Sequence, residues 1–328
     1  MSKMKGLFVV FLGTALAVLG ESSAGHTRVL FVGNSFTFVN ELPEQLVHVA
    51  SSLGQQVTVN SSTIGGCTAY AQTFEHDNRT AALLEQDWDF IVVQSYSALP
   101  AVHAAREQYL YPAVRSFAAH KRKAKIVSYL TWGYHDGEPD PCPTSGPAAC
   151  FPLGTLAQLT EPPCANSSHH HELAGSFACM GYALARGYLS TKDVSVGADM
   201  VAPCGLAWQV VRGLDSIPGA CKASVDGEYT APLTLPLPLA VGGARLPGFM
   251  LYRNFSGLID KHPNVAGQYL NALTFFATLF GSSPVGAAPP LNTGSSSAGD
   301  RPLTAAEVRA LQMAAHGVVQ QCGEACGL

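Results

Sequence analysis

Hydrophobic positions along this chain come in two alternating rhythms, short apolar runs of strand type and longer stretches with helical spacing. Residues 28–32, RVLFV, form a β-rich run that ends at Gly33. Asn40 can cap a helix over residues 41–53, with Gly54 as its stop. Residues 56–64 are rich in β-branched side chains and partly alternate. Residues 90–94 form a mostly apolar run of the kind buried on both faces of a parallel sheet. Farther on, the pattern predicts a helix over 103–120, a strand over 125–130 and a helix over 172–189, then a strand over 199–203 and a helix over 264–280. Strands separated by helical segments predict an α/β sheet covered by helices on both faces, with its sites at the carboxyl ends of the strands.

Two segments interrupt this rhythm. Residues 136–171 hold seven prolines and three cysteines and cannot form one regular element, and residues 214–247 end in a Pro- and Gly-rich run. Both read as insertions in a single domain over residues 25–286. Residues 287–300 read as a flexible Ser, Gly and Pro linker. Residues 301–328 read as a helical tail, in which the spacing over 303–321 suits an amphipathic surface helix.

Composition narrows the class. The 328 residues are 47% hydrophobic and 13% charged, which excludes a disordered chain. A formal net charge of -4 supplies no basic field for a phosphate backbone, so nucleic acid is not an expected partner. Lys3 and Lys5 precede an apolar run over residues 6–19 and small residues over 22–24, the pattern of a cleaved secretory signal over 1–24. That run is shorter than the roughly 20 residues of a membrane span, so no span is expected after cleavage. Asn60, Asn78, Asn166 and Asn254 head Asn-x-Ser/Thr sequons. Nine cysteines fit disulfide staples in an oxidising compartment. Cys142, Cys150, Cys164 and Cys221 lie in the insertions. Cys322 and Cys326 pair with each other or tie the tail to the body, and Cys67 or Cys179 is the expected free thiol.

The sharpest chemical signal is Gly33-Asn34-Ser35, where the first strand runs straight into a helix. A serine there stands at the carboxyl end of a strand, close to helix N–H groups that favour developing negative charge. A nucleophilic serine needs a base, and the base needs an acceptor that fixes its tautomer. Near the far end of the chain, Asp260-Lys261-His262-Pro263-Asn264 precedes a helix and offers both. Pro263 pushes His262 into an extended conformation. By contrast, His169-His170-His171 lacks the second histidine of a zinc-protease helix, with Gly175 where it should stand, and reads as a polar loop, so no metal is expected.

With these blocks in place, the chain resembles the SGNH, or GDSL-type, hydrolases. Gly33-Asn34-Ser35 matches the first block, with Asn34 where many members have Asp. Gly65 or Gly66 in STIGGCTAY matches the second block. The third block is usually Gly-x-Asn-Asp, and here the strand ends in Val93-Gln94-Ser95. The fifth is usually Asp-x-x-His-Pro, and Asp260-Lys261-His262-Pro263 is one residue shorter, similar to some carbohydrate-acetylesterase relatives. TWGYHDG at residues 131–137 and DMVAPCGLAW at 199–208 resemble a little-characterised subgroup whose third block also ends in Gln.

The resemblance implies a flavodoxin-like three-layer α/β/α fold with a mainly parallel five-stranded sheet, and a secreted serine esterase that needs no cofactor. In that scheme Ser35 attacks the acyl carbonyl, His262 takes and returns the proton, and Asp260 orients His262. Asp215 and Asp226 are the alternatives for the acid. The backbone N–H of Ser35, that of Gly65 or Gly66, and the Gln94 amide hold the oxyanion. Asn34, Trp132 and Tyr134 are candidates for the substrate pocket, while Trp88 and Trp208 read as core. The implied substrate is a small ester, by family analogy an acetyl group on a carbohydrate. The alternatives are a lipase-like esterase for longer acyl chains, or a non-catalytic glycan-binding or surface protein that keeps the fold.

Overall fold

In the computed structural model the apolar runs assemble into one parallel sheet; the structure describes residues 25–74, 78–96, 98–137, 175–228, 241–255, 257–292 and 301–328. The strands are β1 (Thr27–Gly33), β2 (Val57–Thr63), β3 (Phe90–Val93), β4 (Lys125–Tyr129) and β5 (Met200–Ala202). They lie in the order β2-β1-β3-β4-β5 with every neighbouring pair parallel, the flavodoxin-like order. The chain therefore has a three-layer α/β/α fold. Val29 to Val32, Ile91, Val92 and Val93 are fully buried, as strands covered on both faces must be. β2 is an edge strand whose side chains over 57–60 alternate between cover and solvent; Asn60 is exposed, whereas Ser62 of its sequon is buried.

The first helices follow the strand ends closely. α1 (Ser35–Phe38) starts two residues after β1, and α2 (Leu42–Ser52) follows it. Asn40 is not the cap of α2. The cap position is Glu41, and both residues take left-handed backbone at φ 57°. The Asn40 side chain instead donates to the carbonyl of Pro263 at 2.8 Å and ties the α1–α2 corner to the far end of the chain. α3 (Ala69–Phe74) and α4 (Asn78–Leu84) lead into β3. The expected helix over 103–120 is broken into α5 (His103–Ala105), a π-helical turn at Arg106–Leu110, and α6 (Tyr111–His120). Pro112 has no N–H to continue the ladder, which accounts for the break.

The C-terminal half supplies the remaining helices. α7 (Phe177–Leu189) is capped by Ser176 and is followed by α8 (Cys204–Val211), a buried helix that the sequence pattern does not announce. α9 (Gly219–Glu228) lies within the second expected insertion, and the disulfide Cys179–Cys221 fastens it to α7. A separate antiparallel hairpin, β6 (Tyr252–Phe255) and β7 (Leu258–Pro263), precedes α10 (Val265–Phe280). α10 is apolar almost all round because it is enclosed by the sheet, α2 and α8. Its Phe275 meets Phe31 and Tyr129 edge to face, with centroids 5.4 and 4.8 Å away.

The last helix, α11 (Ala305–Cys322), packs on α8 and α10 and buries Leu311, Ala314, Ala315 and Val318, so it belongs to the core. Residues 287–292, expected as the start of a flexible linker, are pinned. Gln45 exchanges two hydrogen bonds with the Leu291 backbone, and Tyr269 and Gln312 donate to the carbonyls of Ala288 and Ala287. Residues 293–300, the leader over 1–24, and most of the first insertion with Cys142, Cys150, Cys164, Asn166 and His169 to His171 lie outside the described residues.

Among the described residues the free cysteine is Cys204, fully buried on α8. Cys67 and Cys179 are both disulfide-bonded, and Cys322 pairs with Cys326. A thiol in the tightest part of the core packs as a small apolar group. Among the described residues no helix is long and apolar enough to cross a membrane.

Candidate active site

Ser35 is the first residue of α1, just past the carboxyl end of β1. The neighbours of β1 are β2 and β3, so this end lies at the point where the strand order reverses, the usual place for a ligand site in open α/β sheets. Asn34 caps α1, with Oδ1 accepting the N–H of Phe36 at 3.1 Å and Nδ2 donating to the carbonyl of Cys67 at 3.0 Å. As the first helical residue, Ser35 has no intrahelical acceptor for its own N–H.

His262 and Asp260 stand on β7, which brings them to this strand end from the far side of the sequence. Ser35 Oγ donates to His262 Nε2 at 2.8 Å. His262 Nδ1 lies 2.9 and 2.8 Å from the two carboxylate oxygens of Asp260. A carboxylate only accepts, so the ring proton belongs on Nδ1 and Nε2 is left to accept from the serine. The two other acidic candidates point elsewhere. Asp226 accepts from the Tyr182 hydroxyl at 2.7 Å, and Asp215 pairs with Arg245.

Burial pushes the imidazole of His262 below its ordinary value of 6.5. Asp260 opposes this shift, while the positive charges of Arg253 and Lys261 add to it. Arg253 lies on β6, with Nε 4.0 Å from Asp260 Oδ2 and its guanidinium 4.3 Å over the ring of Phe255.

The turn that carries Ser35 is held by buried amides. Gln94 Oε1 accepts the N–H of Asn34 at 2.8 Å and the Thr37 hydroxyl at 3.1 Å, and its Nε2 donates to the Ser95 carbonyl. The side chain expected to donate to an oxyanion is therefore turned the other way and fully buried. A Cβ on Gly33 would fall 2.5 Å from Thr37 Oγ1 and 2.6 Å from Gln94 Oε1, which requires glycine at that position. Gln72 donates to the Gly33 carbonyl at 2.7 Å.

Gln268, on α10, reaches back to the carbonyls of Phe36, Thr37 and Val39 at 3.1, 3.2 and 2.8 Å. It satisfies the free carbonyl end of α1, a role the sequence reading missed. Asn271 Nδ2 donates to Gln268 Oε1, and Trp208 Nε1 to Asn271 Oδ1. The same indole stacks on Trp132 at 4.2 Å, Trp132 stacks on Phe36 at 4.8 Å, and Phe36 meets the His262 ring edge to face at 5.5 Å.

The remaining expected residues divide by exposure. Gly65 and Gly66 follow β2 at the same sheet end, where the Ile64 N–H still pairs with the Gly33 carbonyl at 3.1 Å. Gly66 takes φ +72° in the turn. Asn34 and Trp132 are buried supports and do not line open space; the Trp132 indole N–H holds β7 by donating to the Lys261 carbonyl at 3.1 Å. Trp88 and Trp208 are core, as expected. Tyr134 borders a polar cleft of about 260 Å³ with His135, Asp136, Asp260 and Lys261. Among the described residues no group of three His, Cys, Asp or Glu side chains could hold a metal ion.

No family model matches the chain, and no curated protein matches it. Solved structures do. A DUF4886 family protein from Bacteroides uniformis superposes with a TM-score of 0.56 at 16% identity, over 90% of this chain and 95% of its own. That likeness is one of fold. Weaker similarities are to TesA, with a TM-score of 0.40 at 14% identity over 77% of this chain and 98% of its own, and to the periplasmic domain of a lipopolysaccharide acetyltransferase from Salmonella ser. Paratyphi A. The latter has a TM-score of 0.34 at 11% identity, over 55% of this chain and 67% of its own.

Proposed function

We propose that this protein is a serine ester hydrolase of SGNH type that removes small acyl groups, acetyl foremost, from a carbohydrate. The observation that carries the reading is the hydrogen-bonded line from Ser35 Oγ through His262 to the Asp260 carboxylate, each step within 2.9 Å. In the proposed reaction His262 Nε2 takes the serine proton as Oγ attacks the acyl carbonyl. It then gives that proton to the leaving alcohol, and water repeats the cycle on the acyl-enzyme. The oxyanion is assigned to the N–H groups of Ser35 and of Gly65 or Gly66, and Gln94 to holding the turn. No step calls for a metal or organic cofactor. The polar cleft beside Tyr134, His135 and Asp136 suits a hydroxyl-rich substrate.

A secreted setting is part of the same proposal, supported by the leader pattern and by disulfides at Cys179–Cys221 and Cys322–Cys326. The test is hydrolysis of p-nitrophenyl acetate and butyrate by wild type and Ser35→Ala. Wild type is expected to turn over acetate faster than butyrate, and the variant to fall to background. Equal rates for the two proteins would overturn the esterase reading, and butyrate preferred over acetate would favour longer acyl chains.

A further inference from the structure

Alternation along β7 places Leu258, Asp260 and His262 on one face of the hairpin. Phe255 pairs directly with Leu258 and shares that face. Arg253 shares it as well, since its Nε approaches Asp260 and its guanidinium covers the Phe255 ring. The face that presents the base to Ser35 thus continues into an apolar tip. Leu258 is 78% exposed and Phe255 41%, two of the five exposed large hydrophobic side chains among the described residues. The sequence between them is the ordinary turn pair Ser256-Gly257, so Phe255 and Leu258 are the last paired residues of the two strands, and contiguous exposed apolar side chains next to a site point to a ligand. The Arg253 guanidinium, 4.3 Å over the Phe255 ring, holds that ring beside the site.

Resting on the esterase reading above, we propose that Leu258 and Phe255 form a subsite on the leaving-alcohol side of the ester, specifically for an apolar alkyl or aryl aglycone carried by the acylated carbohydrate. The chemistry sets the side. His262 Nε2 must hand its proton to the alkoxide oxygen, so that oxygen sits against the hairpin as the acyl–oxygen bond breaks. The oxyanion and acyl carbon lie toward Ser35 and Gly65, where Phe38, 43% exposed, stands beside Gly65. From His262 to Leu258 the strand runs about 13 Å, so only an extended alcohol reaches the tip.

The experiment measures kcat/KM for methyl acetate, n-octyl acetate and methyl octanoate on wild type, Leu258→Ser, Phe255→Ser and the remote control Val194→Ser. Hydrophobic contact of this size predicts that the ratio of octyl acetate to methyl acetate falls about ten-fold in each hairpin variant. The ratio of methyl octanoate to methyl acetate is expected to stay within about two-fold, and Val194→Ser to match wild type in both. If the octanoate ratio falls instead, the face serves the acyl chain and the proposal is overturned; it is equally overturned if neither ratio moves. Hydrolysis that does not depend on Ser35 would overturn the reading of the catalytic site itself, a result separable from a change in ratio.

Discussion

Gln94 accepts the backbone N–H of Asn34 at 2.8 Å, one residue before Ser35. The bond is buried, and the Thr37 hydroxyl donates to the same oxygen. In the third block an amide side chain would be expected to donate to an oxyanion, yet here its nitrogen is committed to the Ser95 carbonyl. The two roles separate cleanly in Gln94→Leu. Loss of a pure oxyanion donor would lower kcat about 100- to 1,000-fold and leave stability alone. Loss of this acceptor strands the Asn34 N–H and the Thr37 hydroxyl. The expected outcome is a stability loss of about 1–3 kcal/mol in urea unfolding, together with reduced kcat. An unchanged unfolding midpoint would refute the supporting role.

How far the sequence reveals the fold depends on whether a signal is local. β1, its turn and Ser35 are legible because strand, glycine and helix follow one another within a dozen residues. The order of the blocks likewise points to His262 and Asp260. The hairpin β6–β7 escapes the pattern because Arg253, Asn254, Asp260, Lys261 and His262 interrupt its short strands, leaving no apolar rhythm to count. Gln268 is hidden for the opposite reason. A glutamine in an apolar helix reads as a surface position, and only the fold shows that its partners are backbone carbonyls more than 200 residues away. The sequence points to Cys67 or Cys179 as the free thiol, whereas among the described residues it is Cys204, because all three are buried and burial alone does not separate a paired cysteine from an unpaired one.

The Cys179–Cys221 bond joins α7 to α9 across a separation of 42 residues. Closing a loop of that length restricts the unfolded chain by about 3–4 kcal/mol in the chain-entropy description. The double variant Cys179→Ala/Cys221→Ala is therefore expected to unfold at lower denaturant by up to that amount. On the proposed reading its ester hydrolysis should stay near wild type under conditions where it is folded, because the bonds that hold the Ser35 turn come from Gln72, Gln94 and Gln268. A kcat loss greater than about ten-fold in the folded variant would show that α9 supports the site. Cys204 gives an internal check. Burial raises its thiol well above its ordinary value, so it should resist alkylation until the protein unfolds.

On the proposed esterase reading, the pH dependence of hydrolysis follows from the charges around His262. Asp260 and Lys261 face it from β7 and Arg253 from β6, while Phe36 covers its ring. His262 accepts the serine proton only when neutral. Burial and the two cations lower its pKa below 6.5, so the neutral form persists as pH falls through that value and the acid limb of kcat/KM lies at lower pH. Arg253→Met removes one cation, which makes the protonated ring easier to form. The acid limb is then expected to move up by about half to one pH unit, whereas Arg253→Lys, which keeps the charge, should hold it near the wild-type position. A residue that acted only by packing against Phe255 would lower the rate at every pH and leave the limb in place, and that result would remove Arg253 from the tuning of His262. Asp260→Asn separates orientation from charge. It withdraws the anion that favours protonation and so does not move the limb upward, yet it loses about 1,000- to 10,000-fold in kcat because the ring is no longer held as the tautomer that can accept from Ser35.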